Sequence, residues 1–406
     1  MKTITVAITM LSILLLHVSV CRADEIPQPG SQYRQDEPGE NTDTHPEIRP
    51  FQLSLVPFVG TEGTYAAENI YKVSLNIFGG FTGGVDGVEL GGFLNINQFS
   101  MTGLQLSGFG NVVNGPVRGL QAAGFINVNN GLTQGLQGAG FGNVVNGNAR
   151  SLQGSGFGNV ITGNMKGIQV AGFGNVTAGR MEGIQAAGFG NVTGGMIAGI
   201  QVAGFGNIAN EIEGIQMAGF LNVAKKVTGL QLGFINVADT VDGLPIGFLS
   251  IVRHGYRKLE LTAGDAMNLS IGFKIGVRRF YNIFSLGTQF TGVDHVYAWG
   301  YGIGSEFNMP DNRFLNAEIL SHRFMEEGWW DHQPMNMLHQ ARVTYARPLN
   351  ERWQIFAGPS LNFHMVRNTE NGNFIDGLAP YELFSFRVRD TNTRVWLGIN
   401  AGIRFW

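Results

Sequence analysis

Two periods of apolar and polar residues run along the chain, and the change between them divides it. Phe51, Leu53, Leu55, Pro57 and Val59 share one face, with Gln52 and Ser54 on the other. Tyr71, Val73, Leu75 and Ile77 likewise stand opposite Lys72, Ser74 and Asn76. A period of two predicts strands. From Gly87 a longer period takes over. The phrase Gly-Leu/Ile-Gln-x-Ala-Gly-Phe-Gly-Asn-Val is led by Gly87, Gly103, Gly119, Gly135, Ser151, Gly167, Gly183 and Gly199, a step of 16. The step shortens to 15 at Gly214 and Gly229 and to 14 at Gly243. In the unit led by Gly167 the apolar positions are Ile168, Val170, Phe173 and Val176. A fifth falls two residues before the next lead, at Met101, Val117, Met165, Met181, Ile197, Ile212, Val227 and Val241.

So fixed a period predicts an array of one small unit that buries its apolar side only by stacking on its neighbours. In a β-solenoid of coils with about three short strands, equivalent residues lie about 4.8 Å apart. That spacing predicts a file of rings at Phe109, Phe125, Phe141, Phe157, Phe173, Phe189 and Phe205. It also predicts an amide ladder at Asn111, Asn127, Asn143, Asn159, Asn175, Asn191 and Asn207. The alternative is a single closed barrel of about 20 strands, one per unit, running antiparallel. Three features favour the solenoid. A barrel does not need identical residues at every crossing. The fifth apolar position would sit in a barrel's turns. Gly229-Leu230-Gln231-Leu232-Gly233-Phe234 drops a residue that would flip a straight strand but not a corner. The apolar positions are expected inward, and the Gln row is expected to be an exposed, sparsely charged face suited to adhesion.

From about Leu259 the repeat fades and long alternating strands begin. Lys274 and Arg278 oppose Ile271, Phe273, Ile275 and Val277; Ser285 and Gln289 oppose Phe284, Leu286 and Phe290. Similar stretches lie at 297–307, 315–319, 341–345, 353–363, 384–388 and 395–405, giving eight strands. Their length and aromatic-rich apolar faces suit an antiparallel outer-membrane barrel with a polar interior. A soluble two-sheet sandwich would show the same alternation. The aromatic end, Phe405-Trp406, leans toward the barrel.

Export is expected. Lys2, an apolar core from Val6 to Val20, and Ala23 form a secretory signal pattern. Cleavage before Asp24 is the expected processing. Lipidation of Cys21 would want a small residue before it, where Val20 stands. The resulting division is 1–23 signal peptide, 24–50 disordered spacer, 51–86 opening strands, 87–256 solenoid and 257–406 barrel. The 406 residues include 60 Gly and one Cys, with 14% charged residues and a net charge of −3. No basic face calls for nucleic acid, and a lone leader Cys allows no mature disulfide or Cys-based metal site.

The residues Val73-Ser74-Leu75-Asn76-Ile77, the stretch from Gly83 to Gly92, the repeats, Gly233 to Asp239 and Arg279 to Phe284 carry a resemblance. There the chain resembles the surface-repeat-containing proteins of Bacteroidota-type bacteria. The resemblance implies an envelope location, and since that group has no settled activity it transfers no catalytic residue. Similarity to curli-type amyloid subunits is looser, because their period is longer and they lack the Phe ladder.

The sequence offers no chemistry-bearing constellation. No Ser-His-Asp order, His-Glu-x-x-His or phosphate-loop pattern occurs, so no enzyme activity, cofactor or metal is expected. His322, His332 and His339 flank one loop, where chance proximity is expected rather than a metal site. The candidate ligand-binding segment is Glu326-Glu327-Gly328-Trp329-Trp330-Asp331-His332. Trp329 and Trp330 could stack on sugar rings while Glu326 and Asp331 bond hydroxyls, or the pair could anchor a strand end at a membrane interface. The expected partners are outer-membrane lipid and a glycan or cell-surface protein. The expected role is display, adhesion or scaffolding, with solute transport as the alternative.

Overall fold

The computed structural model describes residues 46–291, 294–325, 336–367 and 381–405. The signal pattern, Cys21 and most of the spacer lie outside them. The described chain is almost wholly β: a solenoid of parallel coils followed by a closed antiparallel barrel of eight strands. The single barrel of about 20 strands is not the arrangement, because successive repeats pair parallel and in register. Gly142 to Val145 pair with Gly158 to Ile161, and those with Gly174 to Thr177.

A coil has two sides rather than three. Met165–Ala171 forms the long side and Gly174–Thr177 the short one. Gly172-Phe173 makes one corner and residues 178–180 the opposite turn. Glycine is required where coils touch. At Gly167 φ is +135°, and a Cβ at Gly172 would lie 2.1 Å from the Gly156 carbonyl oxygen. The residue missing between Gln231 and Phe234 is taken up at the corner. There the Phe220–Phe234 ring spacing stretches to 6.0 Å, and it returns to 5.0 Å at Phe248.

The polarity of the coil reverses the expectation. Gln105, Gln121, Gln169, Gln185 and Gln201 are fully buried, and so is every Asn from Asn95 to Asn222 in the ladder. The inward set of one coil is Gln169, Ala171, Asn175, Thr177 and Met181, while Ile168, Val170, Phe173 and Val176 face outward. Only the fifth apolar position lies inside as expected, with Met165, Met181, Ile197, Ile212 and Val227 in one buried row. The Gln row is therefore no adhesive face.

Amides can fill this interior because stacking gives each one a partner. Each ladder Asn donates forward to the next, at 2.8 Å from Asn159 to Asn175 and 2.9 Å from Asn175 to Asn191. Its second N–H reaches a carbonyl, as from Asn175 to Ala186 at 2.7 Å. The Gln ladder runs the other way, with Gln169 donating back to Gln153 at 3.0 Å. That backward file ends on Glu89, which takes the Gln position in the unit led by Gly87 and accepts from Gln105 at 2.7 Å. An acceptor-only carboxylate is the right end for a row of donors. Ser74, Asn76 and Asn97 also donate to it. Burial nevertheless pushes the Glu89 carboxyl above its usual range, and these hydrogen bonds pull against that shift.

The opening strands belong to the same stack. Ile48–Val56 pairs parallel with Ile70–Asn76, and that strand with Gly79–Gly91. Residues 48–50 are thus strand rather than spacer. A register shift after Tyr71 puts its side chain inside, whereas Val73 and Leu75 face out.

The barrel closes by pairing Tyr256–Gly264 with Thr391–Phe405. Its other strands are Leu269–Val277, Phe280–Thr291, Asp294–Met309, Arg313–Met325, Asn336–Pro348 and Trp353–Arg367. Eight strands close the wall, but the set differs from the one expected. Tyr256–Gly264 is a member, its alternation having been masked by Arg257, Lys258 and Glu260. Phe384–Val388 is instead an exposed extension paired only with Thr391–Val395 among the described residues.

Candidate membrane-facing surface

The barrel is charged inside and apolar outside. Lys274, Arg342 and Arg404 converge on Glu260 and Glu318, all five nearly or wholly buried. Lys274 lies 2.6 Å from Glu260 and also pairs with Glu318; Arg342 bridges both carboxylates, and Arg404 binds Glu260. Arg404 also bonds Thr344 at 3.0 Å and Asn316 at 2.6 Å, and its guanidinium lies 4.1 Å from the Phe356 ring centroid. Tyr281 donates to Glu318, and Tyr256 to Glu306 at 2.8 Å. Toward one end Trp396, Phe324, Leu338, Val296 and Met267 pack together; toward the other, Phe314, Ala346 and Phe356 do. A small recess beside Glu260, His322 and Arg342 holds about 10 Å³.

The outer wall reverses this. Leu286, Ile319 and Ile399 are each more than 60% exposed, and Trp299, Ile303, Val343, Tyr345 and Ile355 surround them. In water such a continuous apolar belt would be an aggregation surface. The connections differ between the two ends. Val277–Phe280, Met309–Arg313 and Pro348–Trp353 turn within a few residues at one end. At the other end the connections include those that bridge Met325 to Asn336 and Arg367 to Phe384.

The solenoid is also divided, edge against edge. Phe109 to Phe205 stack at 4.8 to 5.0 Å with ring planes within 14° of each other. This file forms one edge and is flanked by the outward Leu, Ile and Val positions. Charge is confined to the opposite edge. Arg118, Arg150, Lys166, Arg180, Glu182, Glu211, Glu213, Lys225, Lys226, Asp239 and Asp242 all fall within four residues before a repeat lead. Buried Glu89 is the sole exception between Val88 and Ser250.

The last coil is bonded to the barrel's outer wall. Asn282 points outward from that wall yet is buried, accepting from the Ser250 backbone N–H at 2.8 Å and donating to the Gly247 carbonyl at 2.8 Å. Phe248 continues the ring file onto the wall, stacking on Tyr301 at 4.7 Å and meeting Phe284 edge-on at 5.9 Å. Beside this joint a recess of about 560 Å³ is lined by Val241, Arg253, His254, Gly255, Tyr256, Arg257, Lys258, Val277 and Arg278.

The expected ligand-binding residues Glu326, Trp329, Trp330 and Asp331 lie outside the described residues, as does His332. His322 points into the barrel and His339 outward, so these two share no site. No group of His, Cys, Asp or Glu that could hold a metal occurs among the described residues. Sequence reasoning missed the charge network and the Asn282 joint. It also misjudged the Gln row, although the row's unvarying identity was a usable signal: a buried amide must meet its partner, whereas an exposed position is free to vary. Comparison of the chain with protein-family models, curated proteins and solved structures finds no match.

Proposed function

We propose that this protein is a non-enzymatic, outer-membrane-anchored repeat scaffold. The observation that carries the reading is the barrel's polarity, with ion pairs inside and an apolar belt outside, as a lipid-embedded barrel requires. In such barrels short turns face the periplasm and longer connections face outward. The connection bearing Trp329 and Trp330 is then presented to the exterior, where stacking on a glycan or a cell-surface protein would serve adhesion or display. The ion pairs that cross the interior and the apolar clusters packed toward each end favour this anchoring role over solute conduction. The resemblance to surface-repeat-containing proteins fits the same envelope location.

The test is fractionation followed by protease treatment of intact cells. The scaffold reading requires the mature chain in outer-membrane fractions after a carbonate wash, with cleavage at the long connections from outside. Recovery of the chain as a free periplasmic protein would refute it, and steady conductance in planar bilayers would favour the transport alternative.

A further inference from the structure

The solenoid's apolar edge needs a cover, and the joint indicates which. Phe248, the last ring of the file, sits against Tyr301 and Phe284 part-way up the barrel's outer wall. The charged edge of the same coil, at Arg253 and His254, instead reaches Val277 and Arg278 at the short-turn end. Phe273, paired with Phe284, and Val277 are four residues apart on one strand, or about 13 Å at strand rise. The coil's apolar-to-charged direction therefore runs along the barrel wall, from the belt toward its rim. Ten ring-to-ring steps of 4.7 to 6.0 Å carry the Phe file about 50 Å outward from the wall at that level. The recess with Arg253, Arg257, Lys258 and Arg278 lies at the rim, where lipid phosphates would stand.

We propose that the solenoid lies along the membrane, with its Phe edge in the acyl layer of the short-turn leaflet and its charged edge among the headgroups. The occupant of the apolar edge is thus lipid, and anionic headgroups fill the basic recess. This rests on the barrel being lipid-embedded. Three features support it together. The ring file is continuous with the barrel's outer belt. Charge is absent from the Phe edge and its flanks. The interior is filled by the amide ladders and the single fifth-position row, which leaves the remaining Leu, Ile, Val and Phe positions free to face lipid.

The experiment uses the full chain carrying Cys21→Ser in phospholipid vesicles, with one nitroxide label per variant. Phe173→Cys and Val170→Cys report the apolar edge, Ala178→Cys the turn edge, and Leu286→Cys the barrel belt. Collision with oxygen, which partitions into acyl chains, is compared with collision with a water-soluble nickel chelate. The expected result is a several-fold higher oxygen-to-nickel ratio at 173, 170 and 286 than at 178. If 286 reads as lipid while 173 and 170 read as water, the embedded rod is refuted and the barrel reading stands. If 286 also reads as water, the barrel reading fails and this inference with it. Labels at 173 and 170 that are shielded from both reagents and broadened by a neighbouring label would mean that a second copy covers the edge, which also overturns the proposal.

Discussion

An apolar residue placed in the solenoid's buried amide ladder should weaken it, and Asn175→Leu tests that. Asn175 accepts from Asn159 at 2.8 Å and donates to Ala186 and Asn191 at 2.7 and 2.9 Å. Leucine fills none of these roles. The Asn159 amide keeps its bond to the Val170 carbonyl at 2.9 Å but loses the other, and the Asn191 oxygen loses its donor. A buried group left unpaired costs about 1 to 3 kcal/mol, so the two together cost about 2 to 6 kcal/mol. Burying the leucine side chain returns about 2 kcal/mol. The net loss is about 2 kcal/mol at mid-range, or roughly thirtyfold faster hydrogen exchange through local opening. Exchange is measured by mass spectrometry on peptides spanning residues 155–195 of the detergent-solubilised protein. Val170→Leu, on the outward face, serves as the control and should stay within about 0.5 kcal/mol of the parent. An apolar interior would give the opposite ranking. Asn175→Leu exchanging like the parent would refute the reasoning.

Glu89→Gln should change how the first coils respond to pH. Folding raises the Glu89 pKa through burial, so the folded state holds the proton more tightly than the unfolded chain. Stability from this group is thus full below the ordinary carboxyl pKa and is lost as pH rises through the raised folded value. Melting followed across that window should show the variant gaining on the parent as pH rises; parallel pH curves would contradict this. Glu260→Gln leaves Lys274, Arg342 and Arg404 facing Glu318 with one carboxylate fewer. Breaking a buried pair in this way costs about 3 to 5 kcal/mol, seen as a lower temperature for the loss of the fast-migrating folded band in detergent gels. Gly172→Ala drives a methyl to 2.1 Å from the Gly156 oxygen and should cost about 1 to 3 kcal/mol, with faster exchange at neighbouring corners. Trp329→Ala combined with Trp330→Ala should abolish glycan-array or host-surface binding without altering membrane insertion; unchanged binding would remove this segment as the contact.

Much of the architecture was legible in the residues because stacking leaves its mark on them. A strict period with Gly at the coil contacts, one Phe and one Asn per unit, and a dropped residue at a corner together specify parallel coils in register. Alternation of period two likewise specifies the long barrel strands. What alternation cannot state is which of two unlike faces points inward, since a strand reads the same either way. Water normally decides this by burying the apolar set. Here the tertiary structure decided it, because an amide becomes an acceptable core residue only once its partner 16 positions away is brought alongside. The barrel's ion pairs depend on closure in the same way. Arg404 meets Glu260 across 144 residues, and before the wall closes neither charge has a reason to leave water. The joint at Asn282 is a third instance, a polar residue on an apolar wall that makes sense only when the last coil covers it.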